Sequence, residues 1–127
     1  MGNGTSIGRV RGLGSAKTGS HHWLLQRFTA IGNLLLVLWL IASLLLLPNF
    51  SYEAVREWLV RPVPATAMAL LIVSTFWHAR LGMQVMMEDY VHDHANKFAC
   101  IAALNLIAFA GAGFGLFCVI RLALGGA

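Results

Sequence analysis

His78 stands about sixteen positions into an apolar run of some twenty-six residues, Val63 to Glu88. An ionisable side chain that deep in an apolar helix costs at least a few kcal/mol, so it needs a partner or a task. At helical spacing its face carries Leu71, Ser74, Thr75, Gly82 and Val85, most of them small. Gly82, one turn on, leaves space beside the imidazole for a flat macrocycle to approach the backbone. That combination points to haem. Two other uses suit the same histidine: a hydrogen bond to a neighbouring helix, at about 1 kcal/mol or less, and a proton relay. The remaining apolar runs contain no central carboxylate or histidine that would continue a relay, which argues against a transporter.

If haem is held by two histidines, the second must lie about 4 Å from the first across the iron. His92 and His94 are about 21 to 24 Å along the chain from His78 by helical rise, and His21 and His22 sit at a membrane edge. The other ligand would then come from a partner chain, and assembly would be obligatory.

Two further polar groups flank the apolar runs. Directly after His78's run comes Glu88-Asp89-Tyr90-Val91-His92-Asp93-His94, in which Asp89 returns to His78's face about three turns on. A tyrosine hydroxyl can donate a hydrogen bond to a quinone carbonyl, and a nearby carboxylate or histidine can deliver the protons that quinone reduction consumes. An ordinary interfacial belt followed by a solvated loop uses the same residue types. The other group, Gly19-Ser20-His21-His22-Trp23-Leu24-Leu25-Gln26-Arg27, leads into the first apolar run and places Arg27 about one turn inside the interface. Its guanidinium can snorkel to headgroups or pair bidentately with a carboxylate such as a haem propionate.

Long helices must hold these groups. Of the 127 residues 58% are hydrophobic and only 11% charged, too little polar surface to wrap a water-soluble core. Three apolar stretches reach the length needed to cross about 30 Å of hydrocarbon. The sequence therefore predicts an all-α membrane protein with three transmembrane helices, about 23–47, 63–90 and 97–122, and a short interfacial helix at about 52–61. Pro62 and Pro64 suit the first turn of the second span, where an amide is not needed. The third span holds no ionisable group before Arg121 except the thiols of Cys100 and Cys118, about 27 Å apart and unable to bond to each other. Gly111, Gly113 and Gly115 offer a small-residue face for close helix packing, or else loose contact with lipid.

A net charge of +4 is not gathered into a patch on any soluble domain, so no nucleic-acid partner is expected. Arg9, Arg11, Lys17 and Arg27 precede or open the first span, which by the positive-inside rule places the N-terminus in the cytoplasm. Residues 1–127 then form a single transmembrane domain, with 1–20 a short cytoplasmic tail, the loop around Asp89 to Lys97 on the same side and the C-terminus opposite. The start of the chain is basic and rich in Gly and Ser but lacks the cleavage pattern of a transit peptide. A bacterial plasma membrane is expected in preference to the mitochondrial inner membrane.

Together, His78-Ala79-Arg80-Leu81-Gly82-Met83-Gln84-Val85 and Glu88-Asp89-Tyr90-Val91 resemble the second helix of the smaller hydrophobic anchors of bacterial and mitochondrial succinate dehydrogenases. In that family a haem-ligating histidine is followed four residues on by glycine, and an Asp-Tyr pair places its tyrosine twelve residues past the histidine; all three positions match. His21 and Arg27, with Thr29-Ala30-Ile31, resemble the family's approach to its first helix, so the resemblance spans residues 19–94. It implies that His78 ligates haem b through its iron, that Tyr90 hydrogen-bonds ubiquinone, and that Asp89 orients neighbouring groups or helps supply protons. Arg27 and His21 would contact haem propionates or line the quinone pocket. The partners implied are a larger cytochrome b anchor subunit giving the second haem ligand, an iron-sulfur subunit, a flavoprotein subunit and membrane lipid. Succinate would be oxidised elsewhere in that complex, so whether the isolated chain is an enzyme stays open. His92, Asp93 and His94 are richer in titratable groups than the family pattern. Two alternatives remain, a fumarate reductase anchor and a structural anchor binding neither haem nor quinone.

Overall fold

The computed structural model of the chain describes Ser6 and residues 19–125. Four helices follow in order: α1 Gly19–Leu45, α2 Tyr52–Val60, α3 Pro62–Tyr90 and α4 His94–Ala123. α1, α3 and α4 have 27, 29 and 30 residues and are apolar enough to cross a membrane. At 1.5 Å per residue they are roughly 40 to 45 Å long, more than a hydrocarbon core requires. The expected all-α architecture of three spans and one short helix is the one observed.

Local chemistry sets the boundaries. Ser51 caps α2, its hydroxyl accepting from the Ala54 amide at 3.3 Å, and Glu53 occupies the first turn, where a negative charge suits the helix dipole. Arg61 is extended at φ −68° and ψ 140°, because the ring of Pro62 disfavours helical geometry in the residue before it. One residue thus ends α2 and starts α3, with Pro62 in the first turn as expected.

Two ends differ from the sequence expectation. α1 starts at Gly19 rather than near Trp23, so the polar Gly19-Ser20-His21-His22 segment is already helical. α4 starts at His94 rather than near residue 97, because the Asp93 carboxylate accepts from the Asn96 amide at 2.8 Å and caps the helix there. The connection after α3 is accordingly only Val91, His92 and Asp93. The expected tail, residues 1–20, lies outside the described residues apart from Ser6, Gly19 and Ser20.

α3 is the central element. It packs most extensively on α4 and then on α1, whereas α1 and α4 do not pack on each other. α2 packs across the ends of α3 and α4 and is tied to α1 by Trp58, whose ring stacks on Trp39 at 5.8 Å. Buried side chains among the described residues are few: Trp58 and Leu59 on α2, Pro64, Leu71 and Leu81 on α3, Leu104, Ala108 and Val119 on α4, and none on α1. Even Leu81, the most enclosed of the apolar residues, retains 3% exposure.

Glycines let α4 approach α3. A Cβ on Gly115 would come within 2.9 Å of Ile72 Cγ2, and one on Gly111 would run into the Phe76 ring. Gly113, displaced by about 200° from each neighbouring glycine of the trio, would meet nothing within 4 Å. Only two of the three glycines therefore make the small-residue face. Gly115→Leu is expected to lower the stability of the α3–α4 pair by about 1–3 kcal/mol through overpacking. Gly113→Ala is expected to leave it unchanged or slightly better, and detergent-solubilised thermal melts of the two variants make the comparison.

Candidate functional site

His78 sits near the middle of α3, sixteen residues after its first residue and twelve before its last, and is half-buried. Across the helix pair its Nδ1 lies 3.1 Å from Thr29 Oγ1 on α1. Thr29 is back-bonded into its own helix, its Oγ1 lying 2.8 Å from the Leu25 carbonyl oxygen and 3.1 Å from that of Gln26. One turn before His78, the Ser74 hydroxyl donates to the Thr29 carbonyl at 3.5 Å. Among the described residues nothing hydrogen-bonds His78 Nε2. An interhelical hydrogen bond does join His78 to α1, and it occupies only one ring nitrogen.

Gly82 faces α1 one turn further on. A Cβ there would meet Gln26 Nε2 at 3.6 Å, an ordinary contact, so packing within this chain does not demand a glycine. Toward the Tyr90 end, α1 and α3 part into a cleft of about 400 Å³ lined by His22, Trp23, Gln26, Gln84, Val85 and Glu88. The Gln84 amide donates to Glu88 at 2.8 Å, whereas His22 Nε2 is sealed from solvent with no hydrogen-bond partner. Lys97 on α4 donates to the Glu88 carbonyl at 2.9 Å and satisfies one of the free carbonyls at the end of α3.

The other residues singled out from sequence are not gathered around His78. Arg27 is exposed, eight residues into α1, with its guanidinium 5.5 Å from the Trp23 ring centroid. It lies two residues from Thr29, about 200° around the helix, and so on the side away from α3. His21 is exposed at the start of α1, and it is the neighbouring His22 that enters the α1–α3 cleft. Asp89 and Tyr90 are exposed as the last two residues of α3, Tyr90 at 79%. Within the chain, then, only His78 has formed its surroundings; the rest present their functional groups outward.

Sequence reasoning missed Thr29, His22, Gln26 and Gln84. It also gave no role to Arg80, whose Nε donates to Asn105 Oδ1 on α4 and whose guanidinium lies 5.8 Å from the Trp77 ring. Arg80 lies about 200° from His78, so these two residues of α3 face different neighbouring helices. Among the described residues no three His, Cys, Asp or Glu side chains come together to hold a metal ion. What His78 can offer is one imidazole nitrogen, which suits a cofactor that brings its own metal and takes its second ligand elsewhere.

The sequence model of the succinate dehydrogenase/fumarate reductase transmembrane subunit family matches residues 1–112. The chain is 38% identical over 102 residues to the succinate dehydrogenase hydrophobic membrane anchor subunit of Rickettsia bellii, covering 80% of this chain and 82% of that one. It is 35% identical over 117 residues to the corresponding subunit of Rickettsia conorii, covering 91% and 85%. With the succinate dehydrogenase membrane anchor subunit of Reclinomonas americana it shares 35% identity over 95 residues, 72% of this chain and 79% of that one.

Proposed function

This chain belongs to the succinate dehydrogenase/fumarate reductase transmembrane subunit family, and from that premise we propose that it anchors a succinate:ubiquinone oxidoreductase, holds haem b through His78 and contributes Tyr90 to the ubiquinone-reduction site. The observation that carries the reading is His78 itself, half-buried at mid-length of the central helix with one ring nitrogen bonded and the other uncommitted. Gly82 adds support, since no contact among the described residues calls for a glycine there. Haem bound at His78 supplies a one-electron store between the two membrane faces.

The chain's own residues do the rest. His78 would hold the haem through one nitrogen from α3, and a larger cytochrome b subunit would supply the second ligand, since no second histidine of this chain reaches that depth. Arg27, and His21 at the start of α1, pair with propionates or line the quinone pocket against the partner; that both are exposed rather than turned toward α3 supports the reading. Tyr90 donates its hydroxyl to a quinone carbonyl, and Asp89 beside it orients the site or relays protons from solution. Soluble iron-sulfur and flavoprotein subunits dock at this end and deliver electrons from succinate. The basic residues Arg9, Arg11 and Lys17 support a cytoplasmic N-terminus in a bacterial inner membrane, with Tyr90 on the same side. The family's description covers both reaction directions, and the names of the relatives favour succinate oxidation over fumarate reduction.

Purification of the complex through a tag on this chain tests the proposal. A b-type band in the reduced-minus-oxidised spectrum, together with succinate-driven ubiquinone reduction, is expected. Co-purification of the soluble subunits with no b-type band would replace it with a structural anchor free of haem.

A further inference from the structure

Thr29 Oγ1 has three neighbours and one proton to give. It lies 2.8 Å from the Leu25 carbonyl oxygen, 3.1 Å from the Gln26 carbonyl oxygen and 3.1 Å from His78 Nδ1. A carbonyl oxygen can only accept, so the two backbone contacts require the hydroxyl to point its hydrogen back into α1. If it pointed instead at the imidazole, its lone pairs would face two carbonyl oxygens at these distances. With the hydroxyl proton committed to α1, the contact to His78 is bonding only when Nδ1 carries the hydrogen. A neutral imidazole has a single N–H, so Nε2 then keeps its lone pair.

We propose that Thr29 is a positioning residue that holds His78 in the Nδ1–H tautomer and aims a bare Nε2 at the haem iron; this rests on the reading of His78 as the axial ligand. Both partners are stiff. Thr29 is β-branched and back-bonded, and the Ser74 hydroxyl reaches its carbonyl at 3.5 Å, so a second contact one turn before His78 also ties α3 to Thr29. Donation from Nδ1–H to the hydroxyl also increases the basicity of Nε2 and so strengthens its hold on ferric iron. Thr29 therefore sets both the orientation and the donor strength of the ligand.

The experiment compares Thr29→Val, Thr29→Ser and His78→Ala in the purified complex by haem content, haem midpoint potential and the low-temperature EPR spectrum. Thr29→Val removes the acceptor at nearly constant shape, and a roughly 10- to 100-fold loss of haem affinity with a rise in midpoint potential is expected. Thr29→Ser keeps the hydroxyl and should restore content, potential and EPR spectrum. Should His78→Ala abolish the low-spin signal while Thr29→Val matches wild type in all three readouts, the Thr29 proposal is overturned and the ligand assignment stands. If His78→Ala keeps the wild-type signal, the ligand assignment fails first and the proposal with it. Because the valine variant could fail to assemble, the redox-difference infrared spectrum of the wild-type complex is a second measurement. An imidazole ring mode at the position of an Nδ1–H bonded to a hydroxyl is expected, and the position of a bare Nδ1 would overturn the proposal without any variant.

Discussion

Replacing His78 with alanine is expected to remove the low-spin b-type spectrum from the complex while leaving the soluble subunits attached and oxidising succinate with an artificial dye. The two effects separate because of what His78 contributes to the fold. Its link to α1 is one interhelical hydrogen bond, of the kind that stabilises membrane helix pairs by about 1 kcal/mol. After the substitution the Thr29 hydroxyl still has the Leu25 carbonyl as its acceptor, so no polar group of that pair is stranded. Ligation has no such reserve, since among the described residues no other His lies near the middle of α3. Loss of a partner in a ligand's outer shell alone costs about 10- to 100-fold in affinity, and loss of the ligand must cost more. A variant that retains the wild-type spectrum at full intensity would remove His78 from the haem site.

The second large effect is expected at Tyr90. Tyr90→Phe should reduce succinate-driven ubiquinone reduction by about 10- to 150-fold, the rate equivalent of the roughly 1.5–3 kcal/mol that a hydrogen bond to a charged acceptor supplies. Dye-linked succinate oxidation should be unaffected. Tyr90 ends α3 with 79% of its surface exposed, and its hydroxyl makes no hydrogen bond among the described residues, so the substitution removes no hydrogen bond of the fold. Assaying both activities on the same preparation gives the ratio directly. An unchanged ratio would move the quinone donor to another residue.

Helix length and apolar content were legible in the sequence because a membrane span requires both at once, and α1, α3 and α4 appear where those runs lie. The ends were less legible. The start of α4 could have been placed from Asp93 and Asn96, a capping pair, but the density of charges there reads equally as loop. His21 and His22 are adjacent, and only the rotation of α1 against α3 decides that His22 turns into the cleft. Thr29 entered only within the Thr29-Ala30-Ile31 run and without a role, since a threonine in an apolar helix is ordinary until the helix opposite is known. The glycines were half legible: positions 111 and 115 share a face by helical geometry, whereas 113 cannot join them.

α1 and α4 lie on either side of α3 without touching, so the three spans form a palisade with two broad sides and no enclosed interior. A water-soluble domain of this shape would collapse, but in lipid each helix persists on its own and nothing compels the row to close. The free subunit therefore has little cohesion to lose, and its tertiary order belongs to the assembled complex. Cells making this chain in excess over its partners should hold the surplus as a substrate for membrane proteases. Subunit stoichiometry would then be enforced by turnover rather than by matched synthesis.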